Sequence, residues 1–144
     1  MEINRHIRLI AHEDTEAFDV LLLSYHNSKQ SLQGFKFLYL SCITESPKSI
    51  DTPLLKSIWT NMDYVYYVDE LERIHNQEIL LIKDIEEIKE TLPKLYRLIE
   101  SSDAKAASFY VIEGKNSPIG IVLALYKEKP TNQLEKSKII MPSI

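Results

Sequence analysis

Residues 106–126 read AASFYVIEGKNSPIGIVLALY, and this stretch decides the fold. Ala106 to Ile112 forms one arm and Glu113-Gly114-Lys115-Asn116-Ser117-Pro118 a turn-forming loop. In the other arm, Ile119, Ile121, Leu123 and Leu125 alternate with smaller residues up to Tyr126. Side chains repeat with period two along a strand, so two such arms joined by a Gly- and Pro-containing loop predict an antiparallel hairpin.

Toward the N-terminus, Phe18 to Tyr25 is nearly continuous in apolar character, as a strand covered on both faces would be. After the polar stretch His26 to Gly34, Phe35 to Ile43 resumes with aromatic and apolar residues, which predicts a second strand antiparallel to the first. Asp51-Thr52-Pro53 offers a cap and an N-terminal proline, and Leu55, Ile58, Trp59 and Met62 recur with helical spacing, so a helix is expected there. Tyr64 to Val68 is rich in β-formers and reads as a strand, as does Glu78 to Ile82. Thr91 is the expected cap of a helix that takes Pro93 in its first turn and carries Leu92, Leu95, Tyr96 and Ile99 on one face. Ile3, Ile7 and Ile10 predict a short amphipathic helix at the start. The expected architecture is therefore α+β: a central antiparallel sheet of about five to six strands with helices packed on it. It forms a single domain over residues 1–128, followed by a polar and then apolar tail, 129–144, loose unless docked.

Composition narrows the chemistry. The 144 residues are 44% hydrophobic and 26% charged, which suits one packed globular core. No apolar run approaches the roughly 20 residues of a membrane helix, and the N-terminus has no secretory pattern, so no membrane partner is expected. Net charge is -4, and residues 63–103 hold 11 Asp/Glu against 5 Lys/Arg. A phosphate backbone would be repelled there, so no nucleic-acid partner is expected. Cys42 is the one cysteine, which rules out an intrachain disulfide and suits the cytoplasm. Three glycines, Gly34, Gly114 and Gly120, cannot write a dinucleotide fingerprint or a phosphate loop. The four histidines form no H-x-x-x-H pair, so neither metal nor cofactor is expected.

No catalytic residue stands out. If Cys42 pairs near Asp19, it lies on the order of 20 Å along the strands from His26, far beyond the hydrogen-bond reach of a nucleophile and its base; Cys42 reads as a small buried hydrophobe. The acidic groups Asp69-Glu70-Glu72 and Asp84-Glu86-Glu87 read as solvated charge. Candidates for a ligand pocket on a sheet face are His26, Tyr39, Ser41, Trp59 and Tyr66, because tyrosine, tryptophan and histidine pair an apolar body with a polar end.

The order of elements resembles the GAF domain, an antiparallel sheet with packed helices that serves as a small-ligand sensor or dimerisation module. FDVLLLSYHN resembles its first strand, ILLIKDIEEI its mid-domain strand and PKLYRLIESSDAKAASFYVIE its helix and following strand; SPIGIVLALYKE, with its P-I-G stem, resembles its closing hairpin. Tyr25-His26-Asn27 is similar to the H-N-G of some uncharacterised bacterial and phage GAF-like proteins, with Ser28 in place of glycine. The N-K-F-D-E signature of cyclic-nucleotide-binding members is missing, as are the chromophore-attaching cysteine context and a second cysteine for dithiol chemistry. The resemblance implies a non-enzymatic module that binds a small molecule or assembles as a homodimer or with a partner protein. The competing expectation is a ligand-free interaction protein of phage or plasmid origin. An enzyme would need a cleft in which His26 meets a carboxylate or hydroxyl.

Overall fold

A computed structural model of the chain describes residues 16–26, 39–115, 118–131 and 139–140. Its strands are β1 (Asp19–His26), β2 (Tyr39–Pro47), β3 (Met62–Asp63), β4 (Ile79–Ile82), β5 (Ala106–Glu113), β6 (Pro118–Tyr126) and β7 (Ile139–Ile140); its helices are α1 (Tyr64–Gln77) and α2 (Pro93–Ser101), with a 3-10 turn at Ile85–Ile88. The sheet runs β3-β2-β1-β6-β5-β4, each neighbouring pair antiparallel, and β7 adds to β5 in parallel. This is the expected α+β architecture. The closing hairpin forms as its alternation predicts, and β1 is central.

Alternation along β1 sorts side chains to two faces. Leu21 and Leu23 join Phe109, Val111, Ile121 and Leu123 in a buried cluster with Leu71 and Ile74 of α1 and Leu95 and Ile99 of α2. Val20 and Leu22 belong to a second cluster on the opposite face, with Tyr110, Val122, Ala124 and Tyr126. At Gly120 the strands approach so closely that a Cβ would sit 2.2 Å from the Leu23 carbonyl oxygen, a place only glycine can fill.

Two expectations between residues 51 and 77 are corrected. The segment 51–61 makes a single turn instead of a helix, with bonds from Ile58 N to Leu55 O (3.0 Å) and Trp59 N to Lys56 O (3.2 Å). Helix growth stops because Thr60 Oγ1 donates to the Lys56 carbonyl at 2.5 Å, the Trp59 carbonyl is taken by Cys42 N at 2.7 Å, and Asn61 turns left-handed at φ 54. The apolar spacing still succeeds in part, since Leu55, Trp59 and Met62 are buried. Tyr64 to Val68, expected as a strand, instead opens α1. Asp63 caps that helix by accepting Val65 N at 2.9 Å and Tyr66 N at 3.4 Å, and the helical stripe continues through Leu71 and Ile74. Tertiary burial of that stripe outweighs the β propensity of its first turn.

A third correction concerns α2. Leu92, not Thr91, occupies the N-cap and offers no side-chain bond. The cap comes from α1: the Glu70 carboxylate accepts Lys94 N at 3.0 Å and Leu95 N at 2.8 Å. Glu70 is therefore buried rather than solvated, and it satisfies two amides that the helix leaves unpaired. The expected helix at Ile3 to Ile10 and the strand start at Phe35 to Leu38 lie outside the described residues.

Candidate functional site

The end of β1 gathers polar side chains on both faces. His26 pairs with Tyr39 across the β1–β2 ladder, and Ser24 with Ser41. His26 Nε2 lies 2.8 Å from Ser41 Oγ and its ring stacks on Tyr39 at 5.6 Å between centroids. Ser41 Oγ also accepts the Asn61 amide at 2.7 Å. Three of the sequence candidates, His26, Tyr39 and Ser41, are thus brought together, on the sheet face away from α1 and α2, by alternation from Leu23.

An imidazole and a hydroxyl within hydrogen-bond reach meet the geometric minimum for a base and nucleophile. Here the arrangement serves a turn instead. Ser41 is buried, its oxygen is occupied by the Asn61 N–H, and no described carboxylate orients the His26 ring.

On the opposite face, Tyr25 reaches α1. Its hydroxyl hydrogen-bonds His75 Nε2, the two rings lie 5.5 Å apart, and the Tyr64 ring meets Tyr25 edge-on at 6.0 Å. Burial pushes the Tyr25 phenol well above its usual range and lowers the pKa of His75, keeping that imidazole neutral. His75 Nδ1 is buried and has no hydrogen-bond partner among the described residues. Tyr25 and His75 are 50 residues apart, so no local pattern announces the pair.

The remaining candidates lie elsewhere. Trp59 has no exposed surface; its Nε1 donates to Ser102 Oγ at 2.8 Å and its ring meets Phe109 edge-on at 6.5 Å, which makes it a core residue. Tyr66 is half exposed on α1, with Lys94 Nζ 4.3 Å from its ring centroid.

Cys42 pairs with Leu23 rather than near Asp19, because β2 begins its pairing at Tyr39 and the ladder shifts between Leu22 and Leu23. The expected 20 Å separation from His26 therefore does not hold. The thiol is nonetheless unreactive: burial, with Glu45 nearby, pushes its pKa up to about 11, and Sγ donates to the Thr44 carbonyl at 3.3 Å.

At the other end of β1, Asp19 is buried, and neither oxygen is paired to a hydrogen-bond donor among the described residues. Burial first, and Glu45 beside it second, raise its pKa to about 9. A protonated Asp19 can donate to Glu45, which is why two adjacent carboxyl groups coexist without a cation. Glu45 in turn accepts Leu55 N at 2.7 Å and Lys56 N at 3.1 Å, anchoring the turn that carries Trp59. Among the described residues, no group of three His, Cys, Asp or Glu could hold a metal ion, and no helix is long and apolar enough to cross a membrane.

No protein-family model and no curated protein matches the sequence. Solved structures do. The GAF3 domain of Slr1393 from Synechocystis sp. PCC6803, in its photoproduct state, matches at TM-score 0.65 and 19% identity, over 93% of this chain and 80% of that one. The red/green cyanobacteriochrome NpR6012g4 in its red-light-absorbing state matches at TM-score 0.66 and 12% identity, with the same coverage. The blue-light-absorbing form of the PixJ GAF domain from Thermosynechococcus elongatus matches at TM-score 0.61 and 14% identity, over 90% of this chain and 71% of that one.

Proposed function

We propose that this chain, whose fold is that of GAF domains, is a non-enzymatic sensory module that binds a small polar molecule at the Tyr25 end of β1. The observation that carries the reading is His75 Nδ1. A buried polar nitrogen without a partner costs about 1–3 kcal/mol, and a ligand that hydrogen-bonds it recovers that cost. Tyr25 fixes the ring through Nε2, and Tyr25 and Tyr64 supply flat apolar surface beside it. His26, Ser41 and Tyr39, across the same strand end, would transmit occupancy to Asn61 and the start of α1. The NpR6012g4 structure is of a red-light-absorbing state; the present chain lacks the cysteine context for attaching a chromophore, so a freely exchanging ligand fits it better than a covalent one.

A ligand-free assembly module is the second reading. It is favoured by a filled centre, since Trp59, Phe109, Leu71, Ile74 and Leu95 leave almost no exposed surface, and by the exposed apolar side chains of Ile43, Ile50 and Leu54.

Native mass spectrometry of the purified protein separates the two. Under the sensory reading the wild type carries a mass excess that His75→Leu loses while remaining folded. A bare dimer in both proteins would support assembly and sink the ligand site.

A further inference from the structure

The cleft between α1 and α2 is lined by Tyr66, Tyr67, Lys94, Arg97, Leu98 and Ser101, with a volume of about 90 Å³. That is room for about three water molecules. The surrounding sequence is acidic, yet no carboxylate lines this cleft. Glu70 of α1 spends both oxygens on the Lys94 and Leu95 amides. Every polar side chain at the rim is able to donate. Lys94 uses one of its three N–H groups on the Tyr66 carbonyl, at 2.5 Å, and rests over the Tyr66 ring. Among the described residues, Arg97 takes part in no salt bridge and no side-chain hydrogen bond, so its five donors face the cleft uncommitted. Lys94 and Arg97 stand three residues apart on α2, with Ser101 a turn further along and therefore on the same side.

We infer that this cleft binds a small oxyanion, a phosphate or carboxylate group, between the Lys94 ammonium and the Arg97 guanidinium. A surface that carries two cations and no carboxylate, with hydroxyls that can donate beside them, is complementary to an anionic group that offers only acceptors, and the guanidinium fork matches such a group two bonds at a time. The cleft admits the anionic head and little else, so the anion belongs to a small free ligand or to the tip of a longer one. This site is separate from the Tyr25–His75 site and does not depend on it.

The test is a two-dimensional amide NMR titration of the full chain with inorganic phosphate, acetate and N-acetyl-phosphoserine amide, each against sodium chloride at equal ionic strength. Saturable shifts confined to residues 64–67 and 94–101 are expected, weakened about tenfold or more in Arg97→Gln and Lys94→Gln, the loss typical of one charge-assisted bond. Phosphate against acetate identifies the head group, and tighter binding of the blocked phosphoserine identifies a peptide-borne anion. Arg97 is exposed, so its variant should melt with the wild type. Shifts that sodium chloride reproduces, that appear equally at Lys105, Lys127 and Lys129, or that persist in both variants overturn the inference.

Discussion

The two ends of β1 handle buried polarity in opposite ways. At its start, Asp19 is sealed inside, where burial and the neighbouring Glu45 favour its protonated form. At its finish, Tyr25 holds a neutral His75 whose second nitrogen faces no partner. Between them Leu21 and Leu23 contribute only packing. A polar group closed by a proton needs nothing further from its surroundings and reads as structure. One left open asks for a ligand. The difference lies in what can close the gap, since the Asp19 oxygens and His75 Nδ1 are all shielded from solvent: a proton beside Glu45 serves at one end, and no described group serves at the other.

The largest effect should come from the middle that separates them. Trp59→Ala removes a wholly buried ring and the bond to Ser102, and it should cost about 3–5 kcal/mol in urea unfolding. At low temperature, where the variant is still folded, any ligand carried by the wild type should remain. Loss of that ligand from folded Trp59→Ala would move the site from the end of β1 to its centre, and the comparison would fail.

Asp19→Asn should act with the opposite sign. The folded state keeps a proton on Asp19 up to about pH 9, whereas an ordinary aspartate releases it near 3.8. Between those values the folded chain binds one more proton than the unfolded chain, so this group's contribution is full below pH 4 and falls as pH rises toward 9. The amide carries no charge to suppress and can still donate to Glu45. Asn at this position should therefore raise stability at pH 8 by about 2 kcal/mol and flatten the pH dependence between 4 and 9. Unfolding curves at pH 5, 7 and 9 measure this; a wild type with no such slope would mean that Asp19 is ionised and has a cation partner.

The contrast between the ends also explains what could be read from the sequence. Period-two alternation in residues 119–125 predicts the closing hairpin because the larger Ile121, Leu123 and Leu125 pack in the cluster under the helices while the smaller Val122 and Ala124 pack on the opposite face. Residues 51–77 are misread because their decisive contacts are long-range. Glu45 holds the Leu55 turn, Cys42 takes the Trp59 carbonyl, and α1 is helical because Leu71 and Ile74 pack on the sheet, despite the β-forming Tyr64 to Val68. The helical stripe Tyr67, Leu71 and Ile74 begins at the Asp63 cap, and Glu70 lies beside it as a buried acid. His26, Tyr39 and Ser41 are legible as residues of two antiparallel strands but not as neighbours, because the expected register, with Cys42 near Asp19, sets them apart, whereas the observed ladder pairs His26 with Tyr39. Tyr25 with His75 is not legible either, because the register of a strand against a helix leaves no periodic trace in either segment.

Ser41→Ala is the smallest of these effects and tests the His26 side of the strand end. Asn61 is left-handed, a conformation asparagine tolerates, and its amide is held at 2.7 Å by Ser41 Oγ. Removing the hydroxyl leaves that part-buried N–H without its acceptor and frees the His26 ring, for a loss of about 1 kcal/mol. If the Ser41–Asn61 bond only pins the entrance to α1, the variant should lose that stability and keep the wild-type ligand mass. If the ligand departs as well, the two faces of the strand end form one site, with Asn61 and the first turn of α1 as the link between them. The asymmetry along β1 would then be sharper than the Tyr25–His75 pair alone suggests, with both faces of its far end serving one ligand.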